Sequence, residues 1–124
     1  KIVTSNPDDG PLEELVSSHS IILLEVRADW CGGSHIIAPV IKKIEDEFNN
    51  EIKVVRMDYD THKEFLHKLN VNSIPVVLLI KEEKLVNKSD GTISRADLKN
   101  LVQDLLNNHN KIIDEENYLW LQDQ

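Results

Sequence analysis

Two short, nearly continuous apolar runs limit the folds open to this chain more than any other feature. They are "IILLEV" at residues 21–26 and "IPVVLLI" at residues 74–80, and each has the length of a β-strand. Strands read as unbroken apolar runs when helices cover both faces of their sheet. Only Glu25 interrupts the first run, so we expect this carboxylate to lie in an apolar interior.

Helical and strand patterns alternate along the rest of the chain. Apolar residues recur at helical spacing from Ser34 to Phe48 and from Leu98 to Leu106. Shorter elements are predicted around these: an opening strand at 1–4, helices at 12–18 and 61–69, a strand at 52–60, and a hairpin whose strands begin at 75 and 85. Alternation followed by a hairpin and a helix predicts an α/β fold with a central mixed β-sheet flanked by helices on both faces.

Composition and charge exclude several classes of function. The chain has 124 residues, enough for one domain with a single core, and a formal net charge of −8. No basic block is present to neutralise phosphates, which argues against a nucleic-acid partner. No apolar run approaches the roughly 18 residues that cross a bilayer. A single cysteine favours a reducing, cytoplasmic compartment, although a chain that begins with Lys1 leaves export open.

The segment "DWCGGSH", residues 29–35, carries the strongest chemical signal. Cys31 stands where the long helix should begin, so the positive end of the helix dipole and free backbone N–H groups would stabilise its thiolate. Gly32 and Gly33 keep side chains away from the sulfur and let a partner chain approach. A lone cysteine is more often a small buried hydrophobic residue. The flanking Trp and Gly residues favour an exposed, nucleophilic thiol instead.

The chain resembles the thioredoxin family from about residue 21 to residue 108. The resemblance runs through "ADWCGGSHIIAPVIKKIEDEF", "VVRMDYD", "VNSIPVVLLI" and "SDGTISRADLKNLV". It implies the thioredoxin fold, with Cys31 at the start of the long helix, Pro75 as a cis proline facing it, and Gly91 completing a substrate groove. The buried aspartate of the family corresponds to Glu25, and its nearby lysine corresponds to Arg56.

Ser34 departs from the thioredoxin pattern, in which a second cysteine resolves the mixed disulfide that the first one forms. A hydroxyl cannot perform that step, so Cys31 should form a mixed disulfide with a protein or with glutathione and await an external thiol. Ser34 can still donate a hydrogen bond to the thiolate. Two origins stay open: a native one-cysteine protein, or a Cys-to-Ser change engineered to trap substrates.

Other residues have supporting roles on this interpretation. Glu25 is expected either to carry protons near the sulfur or to form a buried, permanently charged ion pair with Arg56. Trp30 should pack beside the site, while Ile74 and Pro75 offer backbone to an extended substrate. His35 is a possible modulator of the thiol through its charge, and a surface role is the alternative. Neither a cofactor nor a metal is implied, because one cysteine and scattered histidines form no ligand set.

The last sixteen residues lie beyond the resemblance. We expect a thioredoxin-like domain at 1–108 and a C-terminal extension at 109–124, whose apolar and acidic residues should pack on the domain or on a partner or second copy. Two functions remain open. The first is a one-cysteine thiol–disulfide oxidoreductase acting on protein or glutathione disulfides. The second is a binding module that keeps the peptide groove without turnover.

Overall fold

The computed structural model describes residues 2–108 as strands and helices in alternation. None of the helices in this range is long and apolar enough to cross a bilayer. The elements are α1 (Leu12–Ser18), β1 (Ile21–Arg27), α2 (Gly32–Glu47), β2 (Lys53–Asp58), α3 (Lys63–Lys68), β3 (Val76–Lys81), β4 (Lys84–Asp90) and α4 (Arg95–Leu106).

The four strands form one mixed sheet in the order β2-β1-β3-β4. Strand β1 is central: it runs parallel to β2 and antiparallel to β3, and β3 pairs with β4 as a hairpin. In this register Glu25 stands opposite Arg56 on one side and Val77 on the other. The one carboxylate of the central strand therefore has an arginine as its cross-strand neighbour.

Each face of the sheet carries its own hydrophobic core, because alternate residues of β1 point to opposite sides. Ile22, Leu24 and Val26 pack with α1 and α3, while Ile21 and Leu23 pack with α2 and α4. Glu25 shares the alternation of Ile21 and Leu23, so its side chain faces the α2 layer. The predicted α/β class, with helices on both faces of a mixed sheet, is confirmed.

The opening strand predicted at residues 1–4 is wrong for the residues that the structure describes. Val3 makes a single antiparallel bridge with Pro11 and lies in no strand. Proline has no N–H with which to continue a ladder, and the chain turns through a short 3-10 segment at Pro7–Asp9. The predicted C-terminal extension at 109–124 lies outside the described residues.

The hairpin between β3 and β4 turns on two glutamates. Glu82 and Glu83 have φ values of 51° and 70°, in the left-handed region where glycine and asparagine are usual. The N–H of Glu82 donates to the carbonyl of Ser20 at 2.8 Å, which ties the turn to the start of β1. The hairpin therefore forms without the turn residues by which such a connection is normally recognised.

Candidate functional site

Cys31 is placed by the junction between the central strand and the longest helix. It is the N-cap of α2, with extended backbone angles of −94° and 110°, and the helix begins at Gly32. Its own N–H donates to the carbonyl of Ala28 at 3.1 Å, which closes the turn after β1. The sulfur consequently sits beside the first free N–H groups of the helix, as the sequence predicts.

The expectation that the thiol is exposed is wrong, since only 8% of the surface of Cys31 is accessible. Pro75 lies close by: a Cβ at Gly33 would be 2.8 Å from Cδ of Pro75 and 3.9 Å from Sγ of Cys31. The proline that helps to cover this region comes from the loop before β3, far along the chain. The family resemblance implied this neighbour, but the residues around Cys31 do not show how little of the thiol is left exposed.

Ser34 is completely buried and lies directly beside the thiol. Its hydroxyl oxygen accepts a hydrogen bond from the N–H of Ala28 at 3.4 Å. The hydrogen bond from the Ser34 side chain is the main cause that lowers the pKa of Cys31, with help from the backbone N–H groups of Ser34 and Gly33, while burial opposes them. The serine thus stabilises the thiolate of Cys31, although it cannot resolve a mixed disulfide formed by that thiolate.

Glu25 lies in the central strand β1 with none of its surface exposed. Nε of Arg56 is 3.2 Å from its Oε1, yet the geometry is not that of a hydrogen bond, and neither oxygen of Glu25 has a hydrogen-bond partner among the described residues. The same guanidinium does donate a hydrogen bond to Oε1 of Glu45 on α2, at 3.2 Å. Arg56 therefore joins a buried carboxylate to one nearer the surface.

The environment of Glu25 raises its pKa above the ordinary glutamate value. Burial is the largest cause, and Glu45 adds to it, whereas the charges of Arg56 and Arg27 pull the pKa down. The desolvation penalty therefore exceeds the attraction of the two arginines. Such a carboxyl holds its proton to a higher pH than an exposed glutamate does.

A groove of about 470 Å³ runs beside the thiol. Its apolar floor includes Ile36, which leaves 75% of its surface exposed although it belongs to the helix that carries the site. The groove is lined by Gly33, Ile36, Ile37, Val40, Ser73, Ile74, Pro75, Asp90, Gly91, Thr92 and Ile93. Of the groove positions proposed from the sequence, the lining includes Gly33, Ile74, Pro75 and Gly91 but neither Trp30 nor Gly32. The lining residues that were not proposed, because their own sequence surroundings carry no signal, are Ile36, Ile37, Val40, Ser73, Asp90, Thr92 and Ile93.

Two glycines give Pro75 its space. A Cβ at Gly91 would lie 2.0 Å from Cγ of Pro75, and one at Gly33 would lie 2.8 Å from its Cδ. The N–H of Gly91 donates to the carbonyl of Pro75 at 2.9 Å, and the Ile74–Pro75 peptide bond is cis. The proline ring is thus held between the start of α2 and the end of β4.

Trp30 differs from its expected packing role, because 66% of its surface is exposed. Its indole Nε1 donates to Oδ2 of Asp60 at 2.6 Å, a contact between distant loops that the sequence did not predict. His35 is also exposed, and its Nε2 lies 2.9 Å from the carbonyl oxygen of Asp29. Within residues 2–108, no three potential metal-ligating side chains gather into a group.

Comparison with known proteins agrees with this arrangement. Residues 4–104 match the family model described as thioredoxin. Thioredoxin from Haemophilus influenzae is 34% identical over 96 residues, which cover 77% of this chain and 90% of the relative. Thioredoxin from Bacillus subtilis is 33% identical over 93 residues, covering 75% of this chain and 86% of the relative.

A solved structure shows the same fold. The oxidised thioredoxin from Plasmodium falciparum superimposes with a TM-score of 0.66 at 25% identity, over 85% of this chain and 96% of its own. This chain belongs to the thioredoxin family.

Proposed function

We propose that this protein is a thiol–disulfide oxidoreductase that works through a single cysteine. Thioredoxins act on protein disulfides, and membership of the family supports a role in thiol–disulfide exchange. The observation that carries the finer proposal is Ser34, which is fully buried and whose side chain is the main cause of the lowered pKa of Cys31. A hydroxyl in this position activates the thiol of Cys31 but does not provide the second thiol that would resolve a mixed disulfide.

The chemistry follows from thiol–disulfide exchange. The thiolate of Cys31 attacks one sulfur of a disulfide, the old S–S bond breaks, and the other sulfur leaves as a thiolate that takes up a proton. Cys31 and the client are then joined by a mixed disulfide. Because Ser34 cannot attack this bond, an external thiol, from a protein or glutathione, must attack the sulfur of Cys31, so that the client leaves as a thiolate and a new disulfide joins Cys31 to the external thiol. A second external thiol then attacks that disulfide, which frees Cys31 and leaves the two external thiols joined as a disulfide.

Glu25 is proposed as the group that exchanges protons at this site. Its raised pKa and its two oxygens without hydrogen bonds among the described residues favour the proton carrier over a permanently charged ion pair. Arg56 keeps the carboxyl in place at 3.2 Å without completing a hydrogen bond to it. The arginine is therefore a positioning residue in this proposal, not a catalytic one.

The groove would hold an extended segment of the client. Backbone groups of Ile74 are offered to such a segment, as in other cases where an extended peptide pairs with exposed backbone. Pro75 would contribute its ring instead, because it has no N–H and its carbonyl already accepts from Gly91. Gly32 has no heavy atom within 4 Å of the position where a Cβ would be, which leaves room above the thiol. Ile36 adds exposed apolar surface to the groove, and Trp30, next to Cys31 in the chain, is also exposed.

A second candidate, a binding module without turnover, is favoured by one observation. Cys31 is 8% exposed, so a disulfide can reach the sulfur only if the groove or its partner adjusts. In that case the groove would hold client peptides and the thiol would be a covered core residue or an occasional tether.

Adding the missing thiol tests the proposal. Ser34→Cys should gain reduction of insulin disulfides with an external reductant, whereas the wild type should give a mixed disulfide that is visible by intact mass and is removed by added thiol. Ser18→Cys on α1 is the matched control, because it adds a thiol away from the groove. Peptide binding with no covalent adduct, and no gain for Ser34→Cys, would support the binding module instead.

A further inference from the structure

Apolar surface beside the thiol is left uncovered by the described part of the chain. Among the residues that the structure describes, the large apolar side chains that stay exposed are Val3, Trp30 and Ile36. Ile36 lines the groove of about 470 Å³, and Trp30 directly precedes Cys31 in the chain. Exposed apolar surface around an open groove is a place that other apolar side chains can cover.

The last sixteen residues of the sequence contain a short segment that suits such a groove. The four residues "YLWL" at 118–121, called here the apolar tail segment, are large, apolar and uncharged. Three acidic residues precede this segment at 114–116, and Asp123 follows it. Because apolar side chains gain free energy when they leave water, the apolar tail segment would be stabilised by docking on an apolar surface.

The charge of the groove determines which part of the tail it can accept. The lining contains no lysine or arginine, and its one charged residue is Asp90. Hydrogen bonds from the hydroxyl and the backbone N–H of Thr92 lower the pKa of Asp90, so this carboxylate is ionised at neutral pH. The acidic run at 114–116 would therefore be repelled from the groove, whereas the uncharged apolar tail segment would not.

The point at which the described chain ends allows the tail to reach the groove. Nζ of Lys81, at the end of β3, donates hydrogen bonds to the carbonyl of Leu105 and, at 2.8 Å, to Oδ1 of Asn108. Pro75, at the groove, lies just before the other end of β3, roughly 20 Å away at about 3.3 Å per residue. The ten residues from Asn108 to the apolar tail segment can span up to about 33 Å, which is enough.

We propose that the apolar tail segment of the same chain docks in the groove beside Cys31 and restricts the access of other molecules to the thiol. A client would then have to displace this segment before its disulfide could reach the sulfur. The inference goes beyond the proposed function, because it concerns access to Cys31 and holds whether or not the thiol turns over.

Tethering sets the size of the expected protection. A flexible linker of about ten residues holds the apolar tail segment near the groove at an effective concentration of about 1 mM. An intrinsic dissociation constant of about 0.1 mM would then keep the groove occupied about nine-tenths of the time and slow reactions of the thiol about 10-fold. Since the segment and the groove belong to one chain, this protection should not depend on protein concentration.

The rate at which a bulky maleimide alkylates Cys31 in the full-length protein tests the proposal. At a pH above the titration of the thiol, only access to the sulfur limits this rate. We expect the double variant Leu119→Ser, Trp120→Ser to react about 10-fold faster than the wild type. Val3→Ser is the matched control, because it removes an exposed apolar side chain that does not line the groove, and it should react at the wild-type rate.

Backbone amide chemical shifts locate the docked segment independently. Between the wild type and the double variant, the signals of Gly33, Gly91 and Ile93 in the groove should move. The signal of Ser18 on α1, which does not line the groove, should stay in place.

Three results would overturn the inference. The first is an equal alkylation rate for the wild type and the double variant, and the second is a set of shift changes that leaves out the groove. The third is protection that increases with protein concentration over about a 100-fold range, which would assign the docking to a second copy of the chain. None of these measurements requires turnover, so a failure of Ser34→Cys to reduce insulin would remove the proposed function and leave this inference standing.

Discussion

The close fit of Gly91 and Gly33 against Pro75 predicts how much the free energy of unfolding changes when one methyl group is added at each glycine near the thiol. Carbon atoms in good contact are about 3.5 Å apart, and a Cβ at Gly91 would lie only 2.0 Å from Cγ of Pro75, so about 1.5 Å must be made up by movement. The neighbour is a proline ring and not the end of a flexible chain. Gly91→Ala should therefore destabilise the protein by about 2–3 kcal/mol, the upper part of the usual range for overpacking.

Two other glycines around the thiol serve as matched controls. A Cβ at Gly33 would be 2.8 Å from Cδ of Pro75, about half the shortfall, so Gly33→Ala should cost about 1 kcal/mol, partly offset by the better helix propensity of alanine. At Gly32 no heavy atom lies within 4 Å, so Gly32→Ala should stabilise the helix start by about 0.5 kcal/mol.

Urea denaturation measures all three variants. With a denaturant dependence of about 1–3 kcal/mol per molar urea, the midpoint for Gly91→Ala should fall by roughly 1–2 M and that for Gly32→Ala should rise slightly. Equal midpoints for Gly91→Ala and Gly32→Ala would refute the reasoning, because the helix gain at Gly32 accounts for only about 0.5 kcal/mol of the difference expected between them.

Three further predictions concern the charges at the site. Ser34→Ala should raise the pKa of Cys31, because it removes the main hydrogen bond to the thiolate, and the pH dependence of alkylation measures this. Glu25→Gln should stabilise the protein more at pH 8 than at pH 4: a raised native pKa means that the folded wild type binds more protons than the unfolded chain, so its stability falls as pH rises through that pKa. Glu45→Gln should lower the pKa of Glu25, measured by carboxyl NMR, because Arg56 is then free to complete its hydrogen bond inward.

Each of these three predictions about charge has its own contradicting result. An unchanged alkylation profile for Ser34→Ala would mean that the helix terminus alone sets the thiol pKa. A stability difference for Glu25→Gln that is the same at both pH values would show that folding does not raise the pKa of Glu25. A rise in the pKa of Glu25 after Glu45→Gln would show that Glu45 does not draw Arg56 away from it.

The sequence predicted the fold well because the pattern of apolar residues within each strand or helix is enough to identify that element. The apolar run at 21–26 and the helical spacing from Ser34 to Phe48 each record which face of one element is covered. The opening strand at 1–4 failed because strand formation needs a partner along its whole length, and Pro11 allows Val3 only one bridge.

The positions of the candidate site residues could be predicted, but their environment could not. A helix start is visible at Cys31 and an interrupted apolar run at Glu25, and the structure has both residues in those places, whereas Ser34 was singled out by the family resemblance. The roles assigned to these residues stay predictions. The cover over the thiol and the link from Arg56 to Glu45 depend on side chains that the fold brings together from separate segments. No pattern within one element records such contacts, so the sequence predicted an exposed thiol where the structure has a covered one.

The most direct test of the one-cysteine account is the thiol pKa of the wild-type protein, measured from the pH dependence of Cys31 alkylation under native conditions. The account predicts a midpoint below the free cysteine value of about 8.5, because Ser34 and the first N–H groups of α2 stabilise the thiolate. A midpoint at or above that value would contradict it, since burial would then outweigh every group that is proposed to activate the sulfur.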